Sequence, residues 1–361
     1  MKVDPVDDLM EEGLRERVFP GAVLLVGKGD AELFLRAYGK ADLFSNRLMT
    51  PETVFDLASL TKPLAMAPAV AKLVDRGRIL LDRPAADWLP ELAGDKTAIT
   101  IRQLLCHRSG LPAHRLFYMT LKNLDPRERK DAVLGLIART PLVTPPGTAT
   151  LYSDLGFMLL CRLVERVAGC TLENFLAEQI YGPMEIDDLF FFRLPTKSSS
   201  HHAFAATEFC PLRCRLLVGE VHDDNAWYAG GVDGHAGLFG TARAVFYLLR
   251  RLTAEHRCLV KTPVFSKEVL DPIFKNGPDD NFSLGFDRPA AENSSAGRYF
   301  SKNSVGHLGF TGVSFWMDPT TDVTVVLLTN RVHPFRWHNR LVDFRPKIHD
   351  RIMEQFGIQA D

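Results

Sequence analysis

The residues Ser59-Leu60-Thr61-Lys62 carry the clearest chemistry in this chain. A serine hydroxyl is a poor nucleophile until a base takes its proton. Residues three apart share one face of a helix, so the Lys62 amine can reach the Ser59 oxygen. A lysine works as a base only where burial or a neighbouring positive charge lowers its pKa. Its neighbours Val54, Phe55, Leu57, Leu64 and Met66 are all apolar. A helix start at Ser59 would also aim backbone N–H groups at a developing oxyanion. Taken alone, Ser-x-x-Lys reads better as a helix cap followed by a solvated lysine; the surrounding pattern reverses that.

Tyr152-Ser153-Asp154 opens a helical stretch after Pro145-Pro146-Gly147. A tyrosine at a helix start can project its phenol into a cleft and relay a proton between nucleophile and leaving group. The competing reading is a core tyrosine beside an aspartate N-cap. Gly306-His307-Leu308-Gly309-Phe310 follows near the C-terminus. Its glycines let backbone approach a substrate, and the Phe310 N–H can serve as an oxyanion donor. The competing reading is an edge strand with a buried histidine. A further polar segment holds His222, Asp223, Asn225 and His235 among glycines that end at Gly237. It reads as a pocket wall that binds substrate. A metal site from His222, Asp223 and His235 is the weaker alternative to hydrogen bonding within the loop.

Elements must bring these clusters together. Ala22–Val26 and Ala31–Tyr38 flank Gly27-Lys28-Gly29-Asp30 and predict a hairpin. A helix is expected from Ser59 to about Asp75, ended by Gly77 and kinked at Pro68. Leu155, Leu159 and Leu163, with Leu160, Val164 and Val167, form one apolar helical stripe that Gly169 ends. Ala242 to Glu255 is another helix candidate. Val313–Met317 and Val323–Thr329 predict a second hairpin across Asp318–Asp322. Lys197–His202 and Pro141–Gly147 read as loops. Strands at both ends with helices between them imply an α+β fold: an antiparallel sheet from both termini, flanked by helices, with an inserted mostly helical lobe. Residues 1–85 and 230–361 would form the sheet lobe. Residues 86–229 would form the helical lobe carrying Tyr152-Ser153-Asp154.

The order Ser-x-x-Lys, Tyr-x-Asp, His-x-Gly resembles the serine β-lactamase and penicillin-binding protein superfamily. The branch looks like class C β-lactamases and their esterase relatives, with tyrosine in the second motif and histidine for lysine in the third. Thr100–Pro112 (TIRQLLCHRSGLP) and Thr148–Asp154 also look like segments of that branch, as do Asp318-Pro319 and Thr329-Asn330-Arg331. The resemblance implies Ser59 as nucleophile, Lys62 as general base, Tyr152 as second base, and His307 with Gly309 as third motif. It implies an oxyanion hole from the Ser59 and Phe310 N–H groups, and no metal or organic cofactor. Asp154 departs from the usual asparagine; a carboxylate beside Lys62 would hold it protonated and leave more base work to Tyr152, unless it turns away as a cap. His307 removes a fixed charge that would recognise a substrate carboxylate. The 219–238 stretch is similar to a subgroup that includes penicillin-binding protein 4B and the N-acetylmuramoyl-L-alanine amidases of peptidoglycan recycling. The expected reaction is acyl transfer to water from an amide or peptide bond of a muropeptide. A carboxylic ester, a lactam, and a non-catalytic binding module of the same fold are the alternatives, in that order.

Composition bounds the partners. The 361 residues are 46% hydrophobic and 24% charged, with 43 basic against 44 acidic residues. That balance gives no reason to expect nucleic acid or an anionic membrane as partner, and no apolar run reaches the length of a membrane span. Met1–Glu12 is acidic and polar, unlike a signal peptide, so a cytoplasmic location is expected; a chain that had lost a leader would be secreted or periplasmic. Oligomeric state is not legible. Six scattered cysteines argue against a disulfide framework, and Cys210 with Cys214 reads as free thiols rather than half a zinc site.

Overall fold

The computed structural model describes residues 4–193, 203–275 and 282–358; the loop expected at Lys197–His202 lies outside them. The strands are β1 (Gly21–Lys28), β2 (Ala31–Asp42), β3 (Arg47–Leu48), β4 (Phe55–Asp56), β5 (Leu189–Phe191), β6 (Ala206–Cys210), β7 (Arg215–Val218), β8 (Leu238–Gly240), β9 (Phe282–Ser283), β10 (Phe286–Asp287), β11 (Val305–Leu308), β12 (Ser314–Asp318) and β13 (Val323–Thr329). Eight form one sheet in the order β3-β2-β1-β13-β12-β11-β10-β9, antiparallel throughout. The N-terminal hairpin thus sits against the C-terminal one, with Leu25 opposite both Leu35 and Val326. Two short sheets, β4-β8-β5 and β6-β7, lie apart from it.

The alternation of β1 explains the layers. Ala22, Leu24 and Val26 pack with Val6, Met10, Ile348 and Ile352, from helices Pro5–Arg15 and Leu341–Gln355. Val23 and Leu25 face the larger core with Leu64, Phe157 and Phe246. Both faces of the strand are therefore dry, which is why it reads as a continuous apolar run. Gly27 is forced by packing: a Cβ there would lie 2.2 Å from a Phe246 ring carbon. Among the described residues no helix is long and apolar enough to cross a membrane.

The Ser59 helix departs from expectation. Ala58–Leu60 is a 3₁₀ turn, Lys62–Met66 is π-helical, and α-helix runs only over Ala67–Asp75. The irregularity therefore lies upstream of Pro68, which sits in the first turn of the α-helix. Two prolines explain the break, since neither Pro63 nor Pro68 can donate a helical bond. The Leu64 carbonyl, which residue 68 would serve in an α-helix, instead accepts the Tyr181 hydroxyl at 2.8 Å. The other expected helices form over Asp154–Ala168, capped by left-handed Gly169, and Ala242–His256. The 86–229 stretch adds strands β5, β6 and β7 to its helices. The helix Pro5–Arg15 was not foreseen, although Asp4 caps it and Pro5 opens it, a pairing typical of helix starts.

Candidate active site

Ser59 is held by strain and by one carboxylate. Ala58, immediately before it, has φ of 46°, a left-handed backbone that non-glycine residues adopt at some cost. Its N–H donates to Asp56 Oδ1 at 2.8 Å, and Asp56 Oδ2 accepts the His222 N–H at 2.6 Å. Asp56 thereby ties the serine turn to the distant 222–235 loop. Burial raises its pKa against those bonds.

Lys62 is fully buried, and its Nζ donates to Ser59 Oγ at 2.9 Å and to the His235 carbonyl at 3.1 Å. Asp154 Oδ1 lies 2.8 Å from the same nitrogen. The aspartate is therefore not the helix cap; Ser153 occupies that position. Burial works to lower the Lys62 pKa, but Asp154 and the Tyr152 phenol outweigh it, and the amine ends above its ordinary value. Burial likewise pushes Asp154 up, and Lys62 with His114 pulls it well below the usual carboxylate range. The ordinary state is an ammonium–carboxylate pair, with His114 Nδ1 at 3.4 Å on the outer side of Asp154. Lys62 Nζ also lies 4.9 Å from the centre of the Tyr152 ring; burial raises the Tyr152 pKa, Lys62 lowers it and Asp154 raises it.

The 100–112 segment positions this second motif. Thr100 and Gln103 form a capping box that starts helix Ile101–Leu105. Beyond it, His107 turns with φ of 56° and stacks on Tyr152, ring centroids 4.4 Å apart. The Ser153 N–H donates to His107 Nδ1 at 2.9 Å, and Ser153 Oγ donates to the Pro112 carbonyl at 2.8 Å. Burial and Lys62 hold His107 well below its ordinary pKa, so it is neutral.

On the opposite wall, β11 brings the third motif. His307 is buried, its Nδ1 donating to the Leu308 carbonyl at 2.8 Å. Burial and Lys62 push its pKa down to about 3, so it is uncharged at neutral pH. Its Nε2 faces Asp287 Oδ1 at 3.7 Å, and burial pushes that carboxyl up to about 7. Gly309 donates to the Val313 carbonyl at 2.7 Å. A Cβ on Gly309 would lie 2.9 Å from the Leu57 carbonyl, so only glycine lets this strand end approach the serine turn. The Phe310 N–H makes no backbone hydrogen bond among the described residues.

Ser59, Tyr152, Asp154, His222, Asp223, Asn225, His235, Gly309 and Phe310 all line one cavity of about 600 Å³. Lys62 and His307 lie behind that lining. The polar loop is held by bonds within itself and to neighbouring segments. His235 Nε2 meets Asp223 at 2.9 Å and its Nδ1 meets Asp233 at 3.8 Å. Burial opposes its charge, but the two carboxylates raise its pKa to about 10. Asn225 accepts the Tyr118 N–H at 2.9 Å and donates to the Arg115 carbonyl at 2.8 Å, so its side chain bridges loops. His222 Nε2 turns to Glu208 at 3.3 Å. His222 and the His235–Asp223 pair thus point to different partners, and no cluster of metal-ligating side chains occurs among the described residues. Asp56, His107, His114 and Asp287 were missed in the sequence; only His107, inside a motif, carried any signal.

Comparisons with known proteins identify the family. Residues 6–343 match the Beta-lactamase family. The chain is 31% identical to an N-acetylmuramyl-L-alanine amidase of Bacillus subtilis (strain 168), over 92% of this chain and 81% of that one. It is 30% identical to an Escherichia coli (strain K12) protein provisionally named a D-alanyl-D-alanine carboxypeptidase, over 87% and 79%. Among solved structures, EstCE1, a hydrolase with promiscuous acyltransferase activity, superposes with a TM-score of 0.75 at 21% identity, covering 96% of this chain and 97% of its own. A penicillin-binding protein homologue from Pyrococcus abyssi gives 0.75 at 20% identity, covering 99% and 78%. The chain belongs to the β-lactamase family, within the β-lactamase and transpeptidase-like superfamily of serine hydrolases.

Proposed function

We propose that this serine hydrolase cleaves an amide or peptide bond of a cell-wall fragment through an acyl-enzyme on Ser59. The observation that carries the reading is the Lys62 amine, 2.9 Å from Ser59 Oγ at the floor of a cavity of about 600 Å³. The relative named as an N-acetylmuramyl-L-alanine amidase supports the choice of substrate. Lys62 and Tyr152 act as one titrating unit that must lose a proton before it can accept the Ser59 proton. Ser59 Oγ attacks the carbonyl carbon, the Ser59 and Phe310 N–H groups hold the oxyanion, and the unit returns its proton to the leaving nitrogen. Water then attacks the ester, giving its proton to the same unit, which passes it to Ser59 Oγ as the acyl group leaves as a carboxylic acid. Neutral His307 offers no fixed charge beside the scissile bond, where a penicillin-type lactam carries its carboxylate.

The test compares kcat/KM for a muramoyl-peptide amide, a short-chain p-nitrophenyl ester and nitrocefin. Best turnover is expected on the amide, measurable turnover on the ester and feeble turnover on nitrocefin. Nitrocefin as the best substrate refutes the cell-wall reading, and an ester far ahead of the amide makes the chain an esterase. Ser59→Ala should lose both turnover and fluorophosphonate labelling; a wild-type chain that does not label would be a binding module.

A further inference from the structure

We propose that His114 is a positioning residue for the catalytic proton: it faces Lys62 across Asp154 and sets how tightly the Lys62–Tyr152 unit holds the proton it must lose. The inference rests on that unit serving as the base for Ser59, not on the choice of substrate. A line of contacts carries it. Ser59 Oγ lies 2.9 Å from Lys62 Nζ, Lys62 Nζ lies 2.8 Å from Asp154 Oδ1, and Asp154 Oδ2 lies 3.4 Å from His114 Nδ1. Exposure rises along that line: the Lys62 side chain is 0% exposed, Asp154 19% and His114 42%. The imidazole lines the cavity and meets solvent there, whereas the amine does not. Backbone bonds fix its place. The Asp154 N–H donates to the Ala113 carbonyl at 2.9 Å, and Ser153 Oγ donates to the Pro112 carbonyl at 2.8 Å. These bonds fasten the chain just before His114 to the second motif. Just after it, Asn225 donates to the Arg115 carbonyl at 2.8 Å.

One carboxylate thus faces two basic groups. With His114 neutral, the whole charge of Asp154 acts on Lys62 and keeps it protonated. With His114 protonated, the imidazolium offsets part of that charge and repels the ammonium, so the unit gives up its proton at lower pH. The groups around the imidazole favour its charged form. The contact with Asp154 raises His114 above its ordinary pKa, burial opposes the rise, Asp223 adds to it and His235 subtracts from it. Within its own loop, the Arg115 guanidinium donates to the His114 carbonyl at 3.0 Å. The coupling is reciprocal: Lys62 must weaken proton binding at His114 by as much as His114 weakens it at the unit. The arrangement resolves a conflict in the site. A carboxylate that positions a buried lysine also holds it protonated, which makes it a poor base. Asp154 positions Lys62 with a charge that His114 offsets from the far side.

Kinetics and NMR test the coupling separately. On a p-nitrophenyl ester, His114→Gln should move the acid limb of kcat/KM toward base by about half to one pH unit, with kcat/KM about 3- to 10-fold lower below the limb. His114→Lys keeps a cation at the position and should hold the limb near its wild-type place; a lysine variant that behaves like the glutamine one overturns the inference. In an Asp154→Asn background, His114→Gln should no longer move the limb, because the imidazole has lost the contact that keeps it charged. A lost packing contact would instead lower the rate at every pH and leave the limb in place, and that result also overturns it. Proton NMR of the histidines reads the reciprocal effect in the resting chain. The His114 resonance, assigned by its absence from His114→Gln, should titrate at higher pH in Lys62→Met than in wild type, and a titration that ignores the lysine refutes the coupling. If Lys62→Met does not fold, the kinetic comparison decides alone. A chain that labels at Ser59 with a fluorophosphonate but whose acid limb ignores His114→Gln keeps its nucleophile and loses this role for His114. A His114 titration that responds to Lys62→Met in a chain whose turnover survives Ser59→Ala keeps the coupling and loses the catalytic reading.

Discussion

Asp154→Asn tests the electrostatics of the site most directly. In the wild type, Asp154 Oδ1 lies 2.8 Å from Lys62 Nζ. At an effective dielectric of about 20 such a contact is worth about 6 kcal/mol of attraction. Asparagine keeps an acceptor oxygen at the position but not the charge, and the side chain is 19% exposed, so water screens part of the interaction. A net loss of about 1.4 to 3 kcal/mol is therefore reasonable, which corresponds to about one to two pH units. The sign does not depend on which group holds the proton. The carboxylate raises the pKa of both Lys62 and Tyr152, so its removal lets their shared proton leave at lower pH. The acid limb of kcat/KM, which reports the free enzyme, should move toward acid by that amount. The assay is a pH series on a p-nitrophenyl ester with wild type and variant side by side. An acid limb that stays in place, or moves toward base, would refute the claim that Asp154 controls the proton of the catalytic unit.

Three further outcomes follow from named contacts. Gly309→Ala places a Cβ 2.4 Å from Val313 Cγ2 and 2.9 Å from the Leu57 carbonyl; displacing the Phe310 N–H should lower kcat about 10²-fold, measured on the ester, and kcat at the wild-type level would remove Phe310 from the oxyanion hole. Tyr181→Phe leaves the buried Leu64 carbonyl without its hydroxyl donor and should cost about 1–3 kcal/mol in urea unfolding, whereas no loss would mean the π-helical segment satisfies that carbonyl otherwise. The pKa of His235 is raised to about 10 by Asp223 and Asp233 against the opposing effect of burial, so the stability from its charge is full below the unfolded value of about 6.5 and disappears as pH rises through about 10. Thermal melts from pH 6 to 10 should therefore fall more steeply for wild type than for His235→Gln, and parallel slopes would contradict the assignment of charge.

Local pattern carried what local physics decides. The β1–β2 hairpin is readable because the apolar run stops at Gly29-Asp30. The Asp154–Ala168 helix is readable because its leucines recur on one face and Gly169 terminates it. Ser59, Lys62 and Tyr152 were reachable through motif order. The 3₁₀-to-π passage at Ser59 was readable only in part: Pro63 and Pro68 mark a break, but the hydroxyl that takes up the Leu64 carbonyl comes from Tyr181, 117 residues away. Asp56 gave no signal for the same reason: its partner N–H groups belong to Ala58 and to His222, 166 residues on. The choice between helix cap and partner of Lys62 at Asp154 could not be made locally either, since both use the same residue at the same helix start and only the packed lysine decides.

Charge pairing around the cavity completes several ionic groups within the free protein. Lys62 is matched by Asp154, and His235 by Asp223 and Asp233. Arg162 lies close enough to Asp233 to stabilise it further, and Arg336 is matched by Glu208. Each of these charges has its partner within the protein, so substrate need not supply one. Such preorganised pairs hold Ser59, Tyr152 and the 222–235 wall in place before the reaction begins.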